Sequence, residues 1–171
     1  MPDFILIGPP GAGKSSVGKA LGKLLKVTYT DTDTLIEERS GKKISEIFVE
    51  DGEEAFRSLE ALILAECLQT KAGVLSLGGG AILNPQSQKL VAASQSSIIF
   101  LDVSISQAAP RVGFNKDRPL LLINPRQQWL ALMEKRRPIY EALASYRVVT
   151  DHKKAAEVAL EIADLIGAAH D

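Results

Sequence analysis

Phe4-Ile5-Leu6-Ile7-Gly8-Pro9-Pro10-Gly11-Ala12-Gly13-Lys14-Ser15-Ser16 decides how this chain is read. The four apolar residues form a run bounded by Gly8-Pro9 and read as a buried strand. The next eight residues fit the pattern G-x-x-x-x-G-K-S/T at every specified position, and helical spacing resumes directly after them. Gly8, Gly11 and Gly13 permit a tight turn whose N–H groups point inward at a polyphosphate, and the following helix adds its positive end. Lys14 then reaches the outer phosphates and Ser15 ligates Mg2+. The plainer alternative is a glycine-rich strand-to-helix turn carrying a surface lysine. Agreement of the fixed positions with both flanking elements favours a nucleoside triphosphate loop, with residues 11–16 as its contacts.

The chain has 171 residues, enough for one domain with a sizeable core. Lysine and arginine number 20 against 21 acidic residues, so no general positive field exists to gather nucleic acid. Basic groups that matter must be placed locally. The longest apolar runs are short and the N-terminus lacks a basic leader, so secretion and membrane association are not expected. Cys67 is the only cysteine, which excludes an internal disulfide or a multi-cysteine zinc site and fits a reducing cytoplasm. It reads most simply as a small core residue.

Outward from the loop, Val17, Ala20, Leu21, Leu24 and Leu25 recur at helical spacing, with Lys19, Lys23 and Lys26 elsewhere on the helix. A β-prone run over 27–30 ends at Asp31-Thr32-Asp33. Thr34 with Glu37, and Asp51 with Glu54, have capping-box spacing and open helices to about 40 and 70, with a short helical turn over 44–49 between them. At about 100° per residue, Ala55, Phe56, Leu59, Leu62 and Ile63 share one side of the longer helix, and Arg57 and Glu60 fall outside the core. Strands follow at 74–77 and 97–101, the first stopped by Gly78-Gly79-Gly80, with a helix over 85–93 between them. Residues 111–122 are polar and lack period; a lid and a plain surface loop both suit that composition. Helical spacing resumes at Arg126 and ends near Arg137-Pro138, with a further piece to 144, a strand at 147–149 and a terminal helix over 153–166.

Apolar strands alternating with helices predict a three-layer α/β/α sandwich around a central parallel sheet of about five strands. In such folds ligands sit beyond the carboxyl ends of the strands, where Lys14, Asp31, Asp33 and residues 78–80 all fall. One short domain without a long insert excludes a motor, and no guanine-reading N-K-x-D segment supports a GTP switch. A kinase for a small molecule is the natural remainder. A catalytically silent nucleotide-binding module is the rival from another class.

Beyond the loop, five blocks occur in order: Asp31-Thr32-Asp33; Asp51-Gly52-Glu53 with Phe56-Arg57-x-x-Glu60; Leu77-Gly78-Gly79-Gly80-Ala81; Arg118-Pro119-Leu120-Leu121; and Lys135-Arg136-x-Pro138-x-Tyr140. With these the chain resembles the shikimate kinase family over nearly its whole length. The resemblance implies a single phosphate-loop kinase domain over 1–171, with a substrate-binding region at 31–70 and a mobile lid at 111–123. It implies transfer of the γ-phosphoryl of ATP to the 3-hydroxyl of shikimate, with Mg2+, by a cytoplasmic monomer. A sibling kinase for another polyol acid, such as gluconate, is the closer rival.

By the same resemblance, Arg57 and Arg136 hold the substrate carboxylate through charge-assisted contacts, joined by Gly78, Gly79 and Gly80. Asp33 accepts from the ring hydroxyls and serves catalysis, and Asp31 holds water on Mg2+. Lys14 and a lid arginine, Arg118, stabilise the transferring phosphoryl group, while Arg111 and Lys153 flank the nucleotide. Each has a plainer reading: Asp33 as a helix N-cap, Asp31 as a turn residue, Arg57 on a solvated helix face and His152 as an exposed loop residue. Glu60, one turn from Arg57, orients that guanidinium. The chain departs from the family at Phe114, where a second lid glycine is common, and after the last strand, where an arginine is often found. Ser76 stands on a strand where phosphate-loop proteins generally carry an acid.

Overall fold

The structure, a computed structural model, describes residues 1–112 and 124–170. Among these, five strands and eight α-helices follow one another as β1 (Phe4–Ile7), α1 (Lys14–Leu25), β2 (Tyr29–Asp31), α2 (Thr32–Ser40), α3 (Ile44–Glu50) and α4 (Glu53–Thr70). Then come β3 (Val74–Ser76), a 3₁₀ turn (Ala81–Leu83), α5 (Pro85–Ala93), β4 (Ser97–Asp102), α6 (Ile105–Val112), α7 (Pro125–Leu143), β5 (Tyr146–Val149) and α8 (Ala155–His170). The strands form one parallel sheet in the order β2-β3-β1-β4-β5.

β1 is central because its residues need no water. Ile5, Leu6 and Ile7 are at most 1 % exposed, as are Leu75 on β3 and Ile99, Phe100 and Leu101 on β4. α1 packs on α8, while α4, α5 and α7 pack in succession, so helices cover the sheet. From β1 the chain goes first to the β2-β3 side and later to the β4-β5 side. That reversal leaves a crevice at the carboxyl end of β1, where such sheets bind ligands. The parallel register sets Asp31 beside Ser76, and Ser76 beside Leu6, along that edge. No described helix is long and apolar enough to cross a membrane.

Several local expectations are corrected. Neither capping pair forms: Asp31 caps α2, its Oδ1 accepting from Asp33 N at 2.9 Å, while Glu37 accepts from Ile44 N at 3.1 Å. Asp51 ends α3 instead of starting α4, and Gly52 turns the chain between them at a φ of 90°. α7 continues through Pro138, because Trp129, Met133, Arg136 and Tyr140 bury along it and outweigh one lost backbone bond. Leu24 and Leu62, read as core residues, are 42 % and 53 % exposed. Residues 105–112 form α6, to which no element had been assigned, so Arg111 and Val112 close a helix. The rest of the expected lid, with Phe114 and Arg118, lies outside the described residues.

Candidate functional site

The phosphate loop leaves β1 and enters α1 through Gly11 at φ 82° and Gly13 at φ 91°, a left-handed geometry that side chains disfavour. Gly11 has a second reason to lack a side chain, since a Cβ would lie 2.8 Å from Val112 Cγ2 and 2.9 Å from Ala108 O. α6 thus closes directly over the loop. From it Arg111 donates through Nη1 to Gly11 O at 3.2 Å, which places this arginine beside the loop. Gly13 offers no capping side chain to α1, so the first-turn N–H groups remain directed at the loop's concavity, as an anion requires. Lys14 Nζ donates to Gly8 O at 2.7 Å and Pro9 O at 3.1 Å, arched over the loop it belongs to.

Ser15 Oγ donates to Asp31 Oδ2 at 2.8 Å, so the two residues expected at Mg2+ meet although 16 positions apart. Among the described residues no cluster of three or more His, Cys, Asp or Glu side chains is placed to hold a metal. A hydroxyl and one carboxylate beside a phosphate loop do suit Mg2+, a hard cation that keeps water and phosphate oxygens as most of its ligands. Tyr29 OH also donates to Asp31 Oδ2, at 3.1 Å. Burial, more than the nearby Asp31 charge, pushes its pKa up to about 12, so it stays a protonated donor. Ser76, in the strand position where an acid was missed, donates to Lys14 O at 3.2 Å and so braces the start of α1.

Beside this nucleotide half, the glycine run after β3 is enclosed by charged groups. A Cβ on Gly78 would lie 2.7 Å from Asp33 Oδ1 and 3.0 Å from Glu60 Oε2. On Gly79 it would meet Arg136 Nη1 at 3.2 Å and Pro10 Cδ at 3.3 Å, and on Gly80 Arg57 Nη1 at 2.6 Å. Asp33, Arg57 and Arg136, from α2, α4 and α7, therefore converge on residues 78–80, against the phosphate loop. Arg57 donates to Glu60 Oε1 at 2.8 Å and lies over the Phe56 ring at 5.1 Å. Glu60 is 3 % exposed, not outside the core as the helical wheel placed it. Burial raises its pKa, with the Arg57 charge opposing.

Arg136 is 4 % exposed, yet its Nε has no hydrogen-bond partner among the described residues. An unpaired buried guanidinium N–H is unfavourable in a finished interior and points to an anionic ligand. Lys153, by contrast, is engaged internally, donating to Val149 O at 2.9 Å and Glu161 Oε2 at 2.7 Å.

Three supporting residues have no contact assigned by the sequence, although Tyr140 stands in the last of the five blocks. Tyr140, four residues after Arg136 and so on the same helix face, donates to Gly79 O at 2.7 Å and stacks on Phe100. Trp129 Nε1 donates to Pro10 O at 2.8 Å, tying α7 to the phosphate loop. Tyr29 precedes Asp31 by two on a strand, a spacing that puts both on one face. In each case the periodicity was available, but which face looked into the site was not.

The family model described as shikimate kinase matches residues 10–167. A shikimate kinase of Thermobifida fusca is 49 % identical over 99 % of this chain and 98 % of its own length. One of Salinispora arenicola is 44 % identical over 98 % of this chain and 99 % of its own. The solved shikimate kinase from Acinetobacter baumannii in complex with shikimate superposes with a TM-score of 0.94 at 35 % identity, covering 98 % of this chain and 94 % of that one. A gluconokinase from Sinorhizobium meliloti reaches 0.59 at 20 % identity over 96 % and 95 % of the two chains, a likeness of fold alone. With its phosphate loop, its parallel five-stranded sheet and matches that run its full length, the chain belongs to the shikimate kinase family.

Proposed function

We propose that this single-domain chain transfers the γ-phosphoryl of ATP to the 3-hydroxyl of shikimate, with Arg57 and Arg136 on the carboxylate and Asp33 on the ring hydroxyls. The observation that carries the reading is Arg136, a buried guanidinium with an unpaired Nε set against Gly79 and the phosphate loop. A ring acid anchored there by its carboxylate would present its hydroxyls toward Asp33 and the loop. Asp33 orients or deprotonates the attacking hydroxyl, and Gly78, Gly79 and Gly80 let the ring approach backbone without a side chain intervening. Residues 11–16 would cradle the phosphates, and Arg111, bonded to Gly11 O, would flank the nucleotide; Lys153 would join it only by leaving Val149 O and Glu161. Lys14 and Arg118 neutralise charge on the transferring group, which is most of what phosphoryl transfer asks of a protein. Ser15 directly, and Asp31 through water, would hold Mg2+, which would supply neutralisation of the phosphate charge.

We take the chain further to be a cytoplasmic monomer acting on a small molecule; its balanced net charge gives no general field for nucleic acid. Release of ADP with shikimate and with gluconate offered side by side, the product identified by mass and by the position of phosphorylation, tests the proposal. Shikimate 3-phosphate is expected. Turnover on gluconate alone would overturn the substrate, and no phosphorylated product from either would favour the silent binding module.

A further inference from the structure

Asp31 is held by three donors. Its Oδ1 accepts from Asp33 N at 2.9 Å, and its Oδ2 accepts from Ser15 Oγ at 2.8 Å and Tyr29 OH at 3.1 Å. Asp33 and Tyr29 each lie two residues from it in the chain, but the tyrosine also depends on a second position. Gly18, inside α1, is where the ring is seated: a Cβ there would overlap Tyr29 Cε2 and stand 2.8 Å from Cδ2 and 3.1 Å from Ser76 Oγ. Glycine is unfavourable in a helix interior relative to alanine, and Gly18 has no left-handed backbone to require it. Its want of a side chain is explained by the ring it admits.

We infer that Tyr29 is a positioning residue for the metal-bound nucleotide: seated by Gly18, its hydroxyl holds the Asp31 carboxylate turned toward Ser15. A carboxylate already fixed in rotation loses less freedom when metal-bound water comes to it. The hydroxyl of Ser15 carries one proton, which it gives to Asp31 while a lone pair remains for the cation. Tyr29 adds a neutral donor to the same oxygen, so Asp31 keeps its orientation when Ser15 shifts toward the metal. The inference rests on Asp31 as the carboxylate that holds metal-bound water.

Calorimetric ADP affinity with Mg2+ and with EDTA gives, as a ratio, the gain that the metal confers without any turnover. Asp31→Asn should lose most of that gain. Tyr29→Phe should reduce it about three- to tenfold, less than the full worth of one hydrogen bond to a charged acceptor because Ser15 and Asp33 still hold the carboxylate. It should leave metal-free ADP and shikimate affinities as they are. Gly18→Ala should do the same by displacing the ring, and the double variant should lose no more than either. A wild-type gain in Tyr29→Phe alongside a lost gain in Asp31→Asn overturns the inference, as does an equal weakening of ADP with and without metal. A wild-type gain in Asp31→Asn would instead remove the metal role of Asp31, and this inference with it.

Discussion

Arg136 illustrates how a cost in the folded chain becomes a property of the site. A guanidinium at 4 % exposure has given up its water, and its Nε has no replacement acceptor among the described residues. A carboxylate supplies that acceptor with charge assistance, so affinity for the acid should be concentrated here. Arg136→Ala should lower shikimate affinity by about 1.5–3 kcal/mol, roughly ten- to 150-fold, and leave ATP affinity nearly unchanged. Separate calorimetric titrations with each ligand check this, and parallel loss of both would mean that the arginine serves the fold. Glu60 marks the limit of reading single residues from a helical wheel. The helical wheel puts Arg57 and Glu60 on a polar side of α4, outside the core, but a polar side can face a cleft as well as water. Glu60, at 3 % exposure, faces the cleft with its carboxylate on Arg57. Nothing in one helix's periodicity separates the two cases.

Elements were legible where one physical signal dominated. The continuous apolar runs of β1 and β4 and the glycine-lysine turn between β1 and α1 left few alternatives, and with the alternation of strands and helices they define the sheet. Short or interrupted elements were harder. α6 spans Ile105–Val112 with Pro110 inside it, and α7 carries Pro138, so local backbone preference argued for breaks that tertiary packing overrides. α7 is also the element that joins the two halves of the site. Trp129 reaches Pro10 O, Tyr140 reaches Gly79 O, and Arg136 lies between them along the helix. Pro10 in turn would touch a Cβ on Gly79, so the phosphate loop, the glycine run and α7 form one packed unit. Trp129 is the only tryptophan, which makes this unit observable. Saturating ADP should change its emission intensity or wavelength, because the phosphates rearrange the loop to which the indole N–H is bonded. Emission that stays constant at saturation would show that the loop and α7 do not respond together.

At the scale of the whole molecule, Asp102 joins three elements. It closes β4, is 5 % exposed, and accepts from Arg137 on α7 at 2.9 Å through both oxygens and from Arg147 Nε on β5 at 2.9 Å, with Arg147 Nη2 in ion-pair contact at 2.7 Å. Burial by itself would raise its pKa, but the two arginines outweigh it and hold the carboxyl below its ordinary 3.8. The sign of the pH dependence follows. Above 3.8 the carboxylate is ionised in both folded and unfolded chains and its contribution to stability is complete. As pH falls below 3.8 the unfolded chain takes up the proton first, and the contribution is lost through the lower, folded value. Asp102→Asn keeps the shape and removes the charge. Its arginines remain 36 % and 56 % exposed and can rehydrate, so the cost stays below that of a fully buried broken pair. We expect about 1–3 kcal/mol of lost stability near neutral pH, read from urea unfolding. The variant should also lose less than the parent chain when the pH is lowered below 3.8, since the group that titrates there is gone. Equal acid losses in the two proteins would place the acid sensitivity elsewhere. Unchanged neutral stability would show that β4, β5 and α7 are held by their apolar contacts alone.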